Sequence, residues 1–419
     1  MEQINYIRSI DKFSLKNFFS KYYLFVFLFI GNSSVPFLRN YYFNYFFIII
    51  FIGFLKNVLN ENKYVMLYII FYLSLEIYHY FYFFGIYDFA VVRRLILAFI
   101  VSYLFSQKFN ELRKFIHAYV KIIYGLSLIS LIIYALFISN PQIILNFEEL
   151  FKPFFIVKVE HYGQDLSQIN PLFYNFDYNL HLMNRNNGPF WEPTIFAFNL
   201  FLAIFFNFII TKKVINKYSV VFILAYFTTF STTGILALFL FLFLLFFLNN
   251  KINFVARLLI LFMFVSSSTY IIVKNSFLLE KIVTEFNQVD DTIDSKGGDS
   301  RLASLYLDWD EMVEETEYIL FGKGYDIDSR IKGSDKDILR NNGLSASFIQ
   351  IGIICTIIYF ICIYLFCSKL CKLAKLNSGL AFAFFVGIIV FSFSESILEF
   401  TLIKSFAFMG ISKFTIYEN

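Results

Sequence analysis

The sequence predicts an all-α, polytopic membrane protein of about twelve transmembrane helices with two extracytoplasmic loops. Three observations predict it. Of 419 residues, 58% are hydrophobic and only 16% charged, a balance far from that of soluble domains. The apolar residues cluster in runs long enough to cross the hydrocarbon core of a bilayer. Lys and Arg recur in alternate connections between those runs, the pattern of cytoplasmic loops. The 61 Phe and 29 Tyr exceed what interfacial aromatic belts need, and a bias toward A/T-rich codons accounts for the excess. The net charge of +4 discriminates little, because in a membrane protein the placement of charge matters more than its sum.

The amino terminus carries Arg8, Lys12, Lys16 and Lys21 before the first apolar run, with no small-residue cleavage site after it. It reads as an uncleaved signal anchor whose start faces the cytoplasm. The predicted spans are Tyr22–Leu38, Tyr41–Val58, Tyr64–Phe84, Phe89–Ser106, Phe115–Ile138, Trp191–Thr211, Tyr218–Thr232, Thr233–Leu248, Val255–Val273, Ser345–Cys367, Ser378–Phe393 and Leu398–Lys413. The chain divides into about five helices over 1–146, a first outer loop at 147–190, about four helices over 191–273, a large outer loop at 274–344, and about three helices over 345–419.

Basic residues give an independent test. With the start inside, the inner connections hold Lys56 and Lys63, then Lys108, Arg113 and Lys114, then Lys212, Lys213 and Lys217, then Lys251 and Arg257, then Lys369, Lys372 and Lys375. Arg39 and the pair Arg93 and Arg94 are the exceptions, at outer ends. Both chain ends then face the cytoplasm and both long polar segments lie outside. The larger is acidic, from Glu280 through Asp290, Asp291 and Asp294 to Asp335 and Asp337, which long translocated loops tolerate. Cys355, Cys362, Cys367 and Cys371 all fall on the tenth span or just past it, where packing is the expected role. No phosphate-binding glycine loop or nucleotide fingerprint occurs, which argues against a cytoplasmic ATP-driven motor; membrane lipids are the expected surroundings, and nucleic acid is not an expected partner.

The first outer segment ends in Arg-Asn-Asn-Gly-Pro-Phe-Trp-Glu-Pro, Arg185 to Pro193. Gly188 and Pro189 break a helix there, and Pro193 suits the first turn of the next one. Two readings stand: a re-entry turn whose polar groups cap the helix, or a ligand loop with Arg185 held above the membrane surface. Ser231-Thr-Thr-Gly234 splits an apolar run too long for one helix, so these hydroxyls serve the outer turn or a substrate.

In the large segment Asp299 or Ser300 caps a helix on which Leu302, Leu305, Trp309, Met312 and Val313 recur at helical spacing. Asp308, Asp310, Glu311, Glu314 and Glu315 lie opposite, and Gly322 and Gly324 are its natural stop residues. This is an amphipathic helix outside the membrane. Arg301 in its first turn opposes the helix dipole, so it either holds an anion at the adjacent amides or pairs with Asp299. Arg340-Asn341-Asn342-Gly343 returns another guanidinium to the membrane surface, for lipid headgroups or for catalysis.

Taken together, these motifs resemble the bacterial O-antigen polymerase and O-antigen ligase superfamily. The resemblance rests on Arg-x-x-Gly-x-x-x-Glu-Pro entering a helix at Arg185, Ser-Thr-Thr-Gly at Ser231, and Ser-Arg at Ser300 before a helix ending in Phe-Gly-x-Gly at Phe321. Asn341-Asn342 before Phe-Ile-Gln-Ile-Gly-Ile at Phe348 completes it. It covers the second half of the chain, in the order, spacing and sidedness of the motifs. It implies a glycosyltransferase of GT-C-like architecture in the bacterial inner membrane, with its active site on the periplasmic face. Such an enzyme joins undecaprenyl-diphosphate-linked repeat units of O-antigen or capsular polysaccharide, using one lipid-linked glycan as donor and another as acceptor. It also implies a chain-length regulator as partner, no cofactor and no metal. Arg185 and Arg301 match the arginines that bind the diphosphate in that family, with Arg340 on a shorter motif.

The chemistry agrees from below, since a diphosphate is already a good leaving group and guanidinium forks suit its oxygens. Glu192 would take the acceptor hydroxyl's proton if its carboxylate faces the site instead of capping its own helix. Gly188, Trp191, Asn341, Asn342, Arg93 and Arg94 complete the expected substrate-binding set. The ligases carry a His beside the Asn where this chain has Asn341-Asn342, which favours polymerase; ligase remains the alternative. From another class, a flippase would use deep charges, for which Glu76 with His79 and Glu399 with Lys404 are the candidates.

Overall fold

The computed structural model describes residues 62–82, 89–108, 112–161, 164–171, 173–176, 185–213, 215–248, 300–325 and 342–412, with isolated positions between 255 and 289. The expected spans at Tyr22–Leu38 and Tyr41–Val58 lie outside them, as do Arg340, Asn341 and most of the expected span at Val255–Val273.

In chain order the helices are α1 (Lys63–Tyr82), α2 (Phe89–Lys108), α3 (Leu112–Ser139), α4 (Pro141–Phe155), α5 (Pro193–Thr211), α6 (Lys217–Thr228), α7 (Thr232–Phe247), α8 (Arg301–Glu314), α9 (Gly343–Leu373), α10 (Ser378–Ser394) and α11 (Thr401–Ile411). Among the described residues, α1, α3, α5 and α9 are long and apolar enough to cross a membrane, and five shorter apolar helices accompany them. Helix ends match the sequence expectation within a few residues, because the Lys- and Asn-bearing connections that interrupt the apolar runs also cap the helices. Asn216, for example, accepts from the amides of Tyr218 and Ser219 while Ser219 Oγ accepts from the Asn216 amide, a reciprocal capping box.

The expected first outer loop contains regular structure that hydropathy did not signal. Pro141 starts α4 behind an Asn140 cap, and an antiparallel hairpin follows, β1 (Ile156–His161) paired with β2 (Gln164–Ile169) from Ile156↔Ile169 to His161↔Gln164. The architecture is therefore helical with one small hairpin among the described residues, where the sequence expectation was all-α. Ile144 of α4, Ile169 of β2, Tyr174 and Phe176 form a satellite core against Ile133 and Phe137 of α3, which holds this segment on the end of the bundle.

At the centre lies α5, buried along nearly its whole length. A helix that is apolar on every face is stable only when surrounded, and α3, α6, α7 and α10 pack around it. Its Phe side chains make the tightest contacts, with Phe205 stacked on Phe384 of α10 at 3.6 Å between ring centroids. Behind this layer α9 packs on α10 and α11, and α11 on α2. The four cysteines are unpaired and buried, in keeping with packing as their role.

Helix α9 is broken. Gly352 has φ 74° and ψ 168°, so the ladder of helical hydrogen bonds is interrupted inside an apolar helix. In a low-dielectric setting the exposed amides and carbonyls need partners, and the segment after α8 supplies them. Lys323 N donates to Ile349 O at 2.7 Å, Gly324 N to Gln350 O at 2.9 Å, and Ile353 N donates to Ile319 O at 2.8 Å. The two backbones lie so close that a Cβ on Gly352 would sit 2.3 Å from Leu320 O and one on Gly322 would sit 2.5 Å from Gln350 O. The expected role of Gly322 and Gly324 as helix stops is corrected accordingly. Helix α8 ends at Glu314, a 3-10 turn follows at Thr316–Tyr318, and both glycines instead let this strap enter the break in α9.

Lys323 is buried in the strap and its ammonium bridges Glu311 at 2.6 Å and Glu315 at 2.7 Å over the ring of Tyr318, which ties the strap back to α8. His79 Nε2 of α1 lies 2.8 Å from Phe321 O and holds the other side.

A Gly352→Ala variant combines positive φ with a backbone clash and is expected to lower stability by more than about 2 kcal/mol. Gly125→Ala, in open space on α3, should change it by less than about 1 kcal/mol, in the stabilising direction. Thermal unfolding of detergent-purified protein, followed by size-exclusion profile, ranks the two. Equal melting temperatures would remove the strap from its role.

Candidate functional site

One end of the bundle collects the polar residues that the sequence scattered. The loop at 185–192 is held there by Asn186, whose amide donates to Thr228 O and whose Nδ2 donates to Thr228 Oγ1. Asn186 Oδ1 accepts from Ser130 Oγ of α3 at 2.7 Å and from Gly188 N at 3.0 Å. One buried side chain thus pins the loop to α3 and to the α6–α7 turn. Gly188 has φ 53°, and a Cβ there would meet the ring of Phe196 at 2.8 Å, so the loop lies on α5 only because this position has no side chain. Gly188 therefore positions the loop on α5. Trp191 packs on the main core and is partly buried.

Arg185 comes out of this pinned loop with its Nε donating to Thr229 O at 3.3 Å. Glu192 occupies the cap position of α5 in extended geometry, and its side chain makes no capping hydrogen bond. The turn at Ser231–Gly234 is satisfied internally: Ser231 Oγ accepts from Gly234 N and donates to Thr194 Oγ1, and Tyr226 donates its hydroxyl proton to Gly234 O. Turn chemistry accounts for these residues, and their contribution is to offer Thr229 O to Arg185.

From the other side, α8 begins with Ser300 as its cap, Oγ accepting from Ala303 N at 3.2 Å. Asp299, the partner of the adjacent Arg301 in one sequence reading, lies outside the described residues. Arg301 Nε donates to Ser394 O at 3.1 Å, and Nη2 lies 3.6 Å from Glu395 Oε1. Asn342 caps α9 by accepting from Leu344 N and Ser345 N, while its Nδ2 donates to Arg301 O at 3.1 Å. Both ends of the Asn342 amide are therefore engaged in aligning the starts of α8 and α9, which makes it a positioning residue for Arg301. Buried Asp308 accepts from Ser345 Oγ and locks the same two helices one turn further on. With that pair α8 buries Ala303, Ser304, Leu307, Asp308 and Met312; of the expected apolar stripe Met312 turns inward, while Leu305, Trp309 and Val313 are exposed.

The two guanidinium groups share one electrostatic neighbourhood. Burial pushes Arg185 below its ordinary value; Glu192 pulls it back up, Arg301 pushes it down, and Glu395 again raises it. Glu192 of the same loop, Arg301 at the start of α8 and Glu395 at the end of α10 thus all lie within electrostatic reach of Arg185, and Arg301 and Glu395 are paired with each other. Asn187, two residues after Arg185, is fully buried, and neither its Oδ1 nor its Nδ2 meets a hydrogen-bond partner among the described residues. Such an orphaned amide in a polar loop is an unmet binding capacity. The arrangement can hold an anion with two charges between guanidinium forks, with a carboxylate at hand to accept a proton.

Arg93 and Arg94 lie in the first turns of α2, and neighbouring Val92 packs with Tyr318 beneath α8; the arginine side chains, like Arg340 and Asn341, fall outside the described residues. Glu395 was not singled out from the sequence. The polar interruption Ser394-Glu395-Ser396 between two apolar runs was the signal available for Glu395, and it reads equally well as an ordinary turn.

The deep charges form a second group around the α9 break. Gln350 Nε2 donates to Glu399 at 3.0 Å, Lys404 lies over the ring of Tyr325, and Lys404 is within electrostatic reach of both Glu399 and Glu76. A small cavity lined by Tyr72, Leu75, Phe99, Ile351, Tyr359 and Lys404 adjoins them.

Comparison with known proteins finds no matching family model, curated protein or solved structure.

Asn186→Ala should cost about 2 kcal/mol or more, because it strands Ser130 and Thr228 in a buried setting. Asn187→Leu, which removes unpaired polar atoms at similar volume, should leave melting unchanged or raise it. A loss for Asn187→Leu matching that for Asn186→Ala would show that Asn187 is a structural residue.

Proposed function

We propose that this chain is a membrane glycosyltransferase that transfers a glycan from a polyprenyl diphosphate, and specifically a polymerase of lipid-linked O-antigen or capsular repeat units on the outer face of the bacterial inner membrane. The observation that carries the reading is the convergence of Arg185 and Arg301, from segments more than a hundred residues apart, beside Glu192 and Glu395. The resemblance of the surrounding motifs to the O-antigen polymerase and ligase superfamily supplies the reaction.

In that reaction the acceptor hydroxyl attacks the anomeric carbon of the donor sugar, the bond from that carbon to the diphosphate oxygen breaks, and the lipid diphosphate leaves carrying the extra negative charge. Arg185 and Arg301 neutralise that charge as it develops, which is where fixed cations lower a barrier most. The Arg185 fork is held through Nε alone among the described residues, leaving its terminal nitrogens aimed by the loop. The 3.6 Å separation of Arg301 and Glu395 is a loose pair that a diphosphate can displace while Ser394 O still holds the guanidinium through Nε. Glu192 accepts the hydroxyl proton. Transfer to a lipid A-core acceptor, the ligase alternative, uses the same donor site.

A flippase reading draws on the broken α9 and the charges near it. The strap at 319–324 already satisfies the backbone groups of that break, which leaves them unavailable to a transported ligand.

Purified protein supplied with a lipid-linked repeat unit is expected to build a polymer ladder, with chelator present as well as without. Arg301→Lys and Arg185→Lys keep the charge and lose the fork; each should slow turnover by about 10²-fold or more. Wild-type polymer amount and length from either inserted variant would remove that arginine from the site, and absence of any ladder with both lipid-linked donor and acceptor would overturn the polymerase assignment.

A further inference from the structure

Helix α8 has two faces. One is buried on α9 through Ala303, Ser304, Leu307, Asp308 and Met312. On a 3.6-residue helix Leu302, Leu305, Tyr306, Trp309 and Val313 fall together on the opposite side, with Tyr306 54%, Trp309 60% and Val313 52% exposed. Asp310 and Glu314 flank this stripe on one edge, and the stripe itself contains no charge. A contiguous exposed apolar face of this kind marks an interaction surface.

What it meets follows from where it leads. Beyond the 3-10 turn the chain exposes Leu320 and Phe321. Phe321 is joined to α1 by His79, and the Tyr318 ring lies 6.0 Å from Tyr82 at the end of that helix. The exposed side of α1, a helix long and apolar enough to cross a membrane, runs through Leu67, Ile70, Ser74, Ile77 and Phe81. The apolar surface thus continues from the flank of α1 over Leu320 and Phe321 to α8. Trp and Tyr, with an apolar ring body and a polar tip, are the side chains suited to the acyl–headgroup boundary, and a helix with one such face lies in the interface plane.

We infer that α8 is an interfacial helix whose Leu302–Val313 stripe is seated in the acyl-chain boundary of the bilayer, with Asp310 and Glu314 directed to water. It binds lipid while its other face holds the start of α9, so the membrane surface itself sets the height of Arg301. This inference concerns bilayer lipid and does not depend on the reaction proposed above.

The chain has two tryptophans, Trp191 and Trp309, which makes the test direct. Full-length Trp191→Phe protein, reconstituted in phosphatidylcholine–phosphatidylglycerol vesicles, reports Trp309 alone. Its emission is expected to be blue-shifted, to lose most of its intensity to lipids brominated near the headgroup end of the acyl chain, and to resist aqueous acrylamide. Quenching by acrylamide without quenching by brominated lipid would overturn the inference, placing the stripe in water. Resistance to both quenchers would overturn it as well, since another protein surface would then cover the stripe. Because Trp191 packs on the core, Trp309→Phe subtracted from the unaltered protein supplies the same quantity if Trp191→Phe misfolds.

Discussion

Backbone hydrogen bonding at the break in α9 is the constraint on which the rest of this structure depends. An apolar helix cannot leave amides and carbonyls without partners where water is absent. Gly352 opens that ladder, and the strap at 319–324 closes it with three backbone hydrogen bonds. Because the strap is the continuation of α8, satisfying α9 also fixes α8. Lys323, bridging Glu311 and Glu315, makes the attachment rigid from the α8 side, and His79 does so from α1. The Phe-Gly-x-Gly and Gln-Ile-Gly motifs, far apart in the chain, are two halves of one contact.

That contact leads directly to the site. Helix α8 can only begin where the strap and the Asp308–Ser345 bond allow, and its first residue is Arg301. Asn342 then uses both ends of its amide to align the first turns of α8 and α9. On the facing side the loop before α5 reaches the same place by a different device, a single buried Asn186 bonded to α3 and to the α6–α7 turn. Charges are brought together here by neutral amides and hydroxyls that are themselves fully engaged. Against that background stand Asn187, whose amide meets no hydrogen-bond partner among the described residues, and Glu192, whose side chain makes no capping bond.

Much of the helical plan was legible in the sequence, since bilayer-length apolar runs, Pro at first turns and Asn or Ser at caps each act locally. Pro193, Asn216 and Ser300 start helices where their chemistry predicts. Less legible were α4 and the hairpin after it, whose stability comes from Ile144, Ile169, Tyr174 and Phe176 meeting α3 and not from any run of their own. Arg185 and Arg301 could be singled out as guanidiniums beside the membrane. Glu395 could not, because a Ser-Glu-Ser turn carries no sign of the arginine it will meet.

By itself the sequence determined a helical chain built for an apolar environment, the starts of its helices and the candidate residues at its polar interruptions, because hydropathy and capping are properties of neighbours along the chain. Only the tertiary structure decided that Gly322 and Gly352 share one contact, that Asn342 serves Arg301, that α8 turns its apolar stripe outward, and that Arg185 lies in the field of Arg301, Glu192 and Glu395. Those outcomes depend on which backbone groups remain unsatisfied after the helices pack, and that is settled between segments remote in the chain.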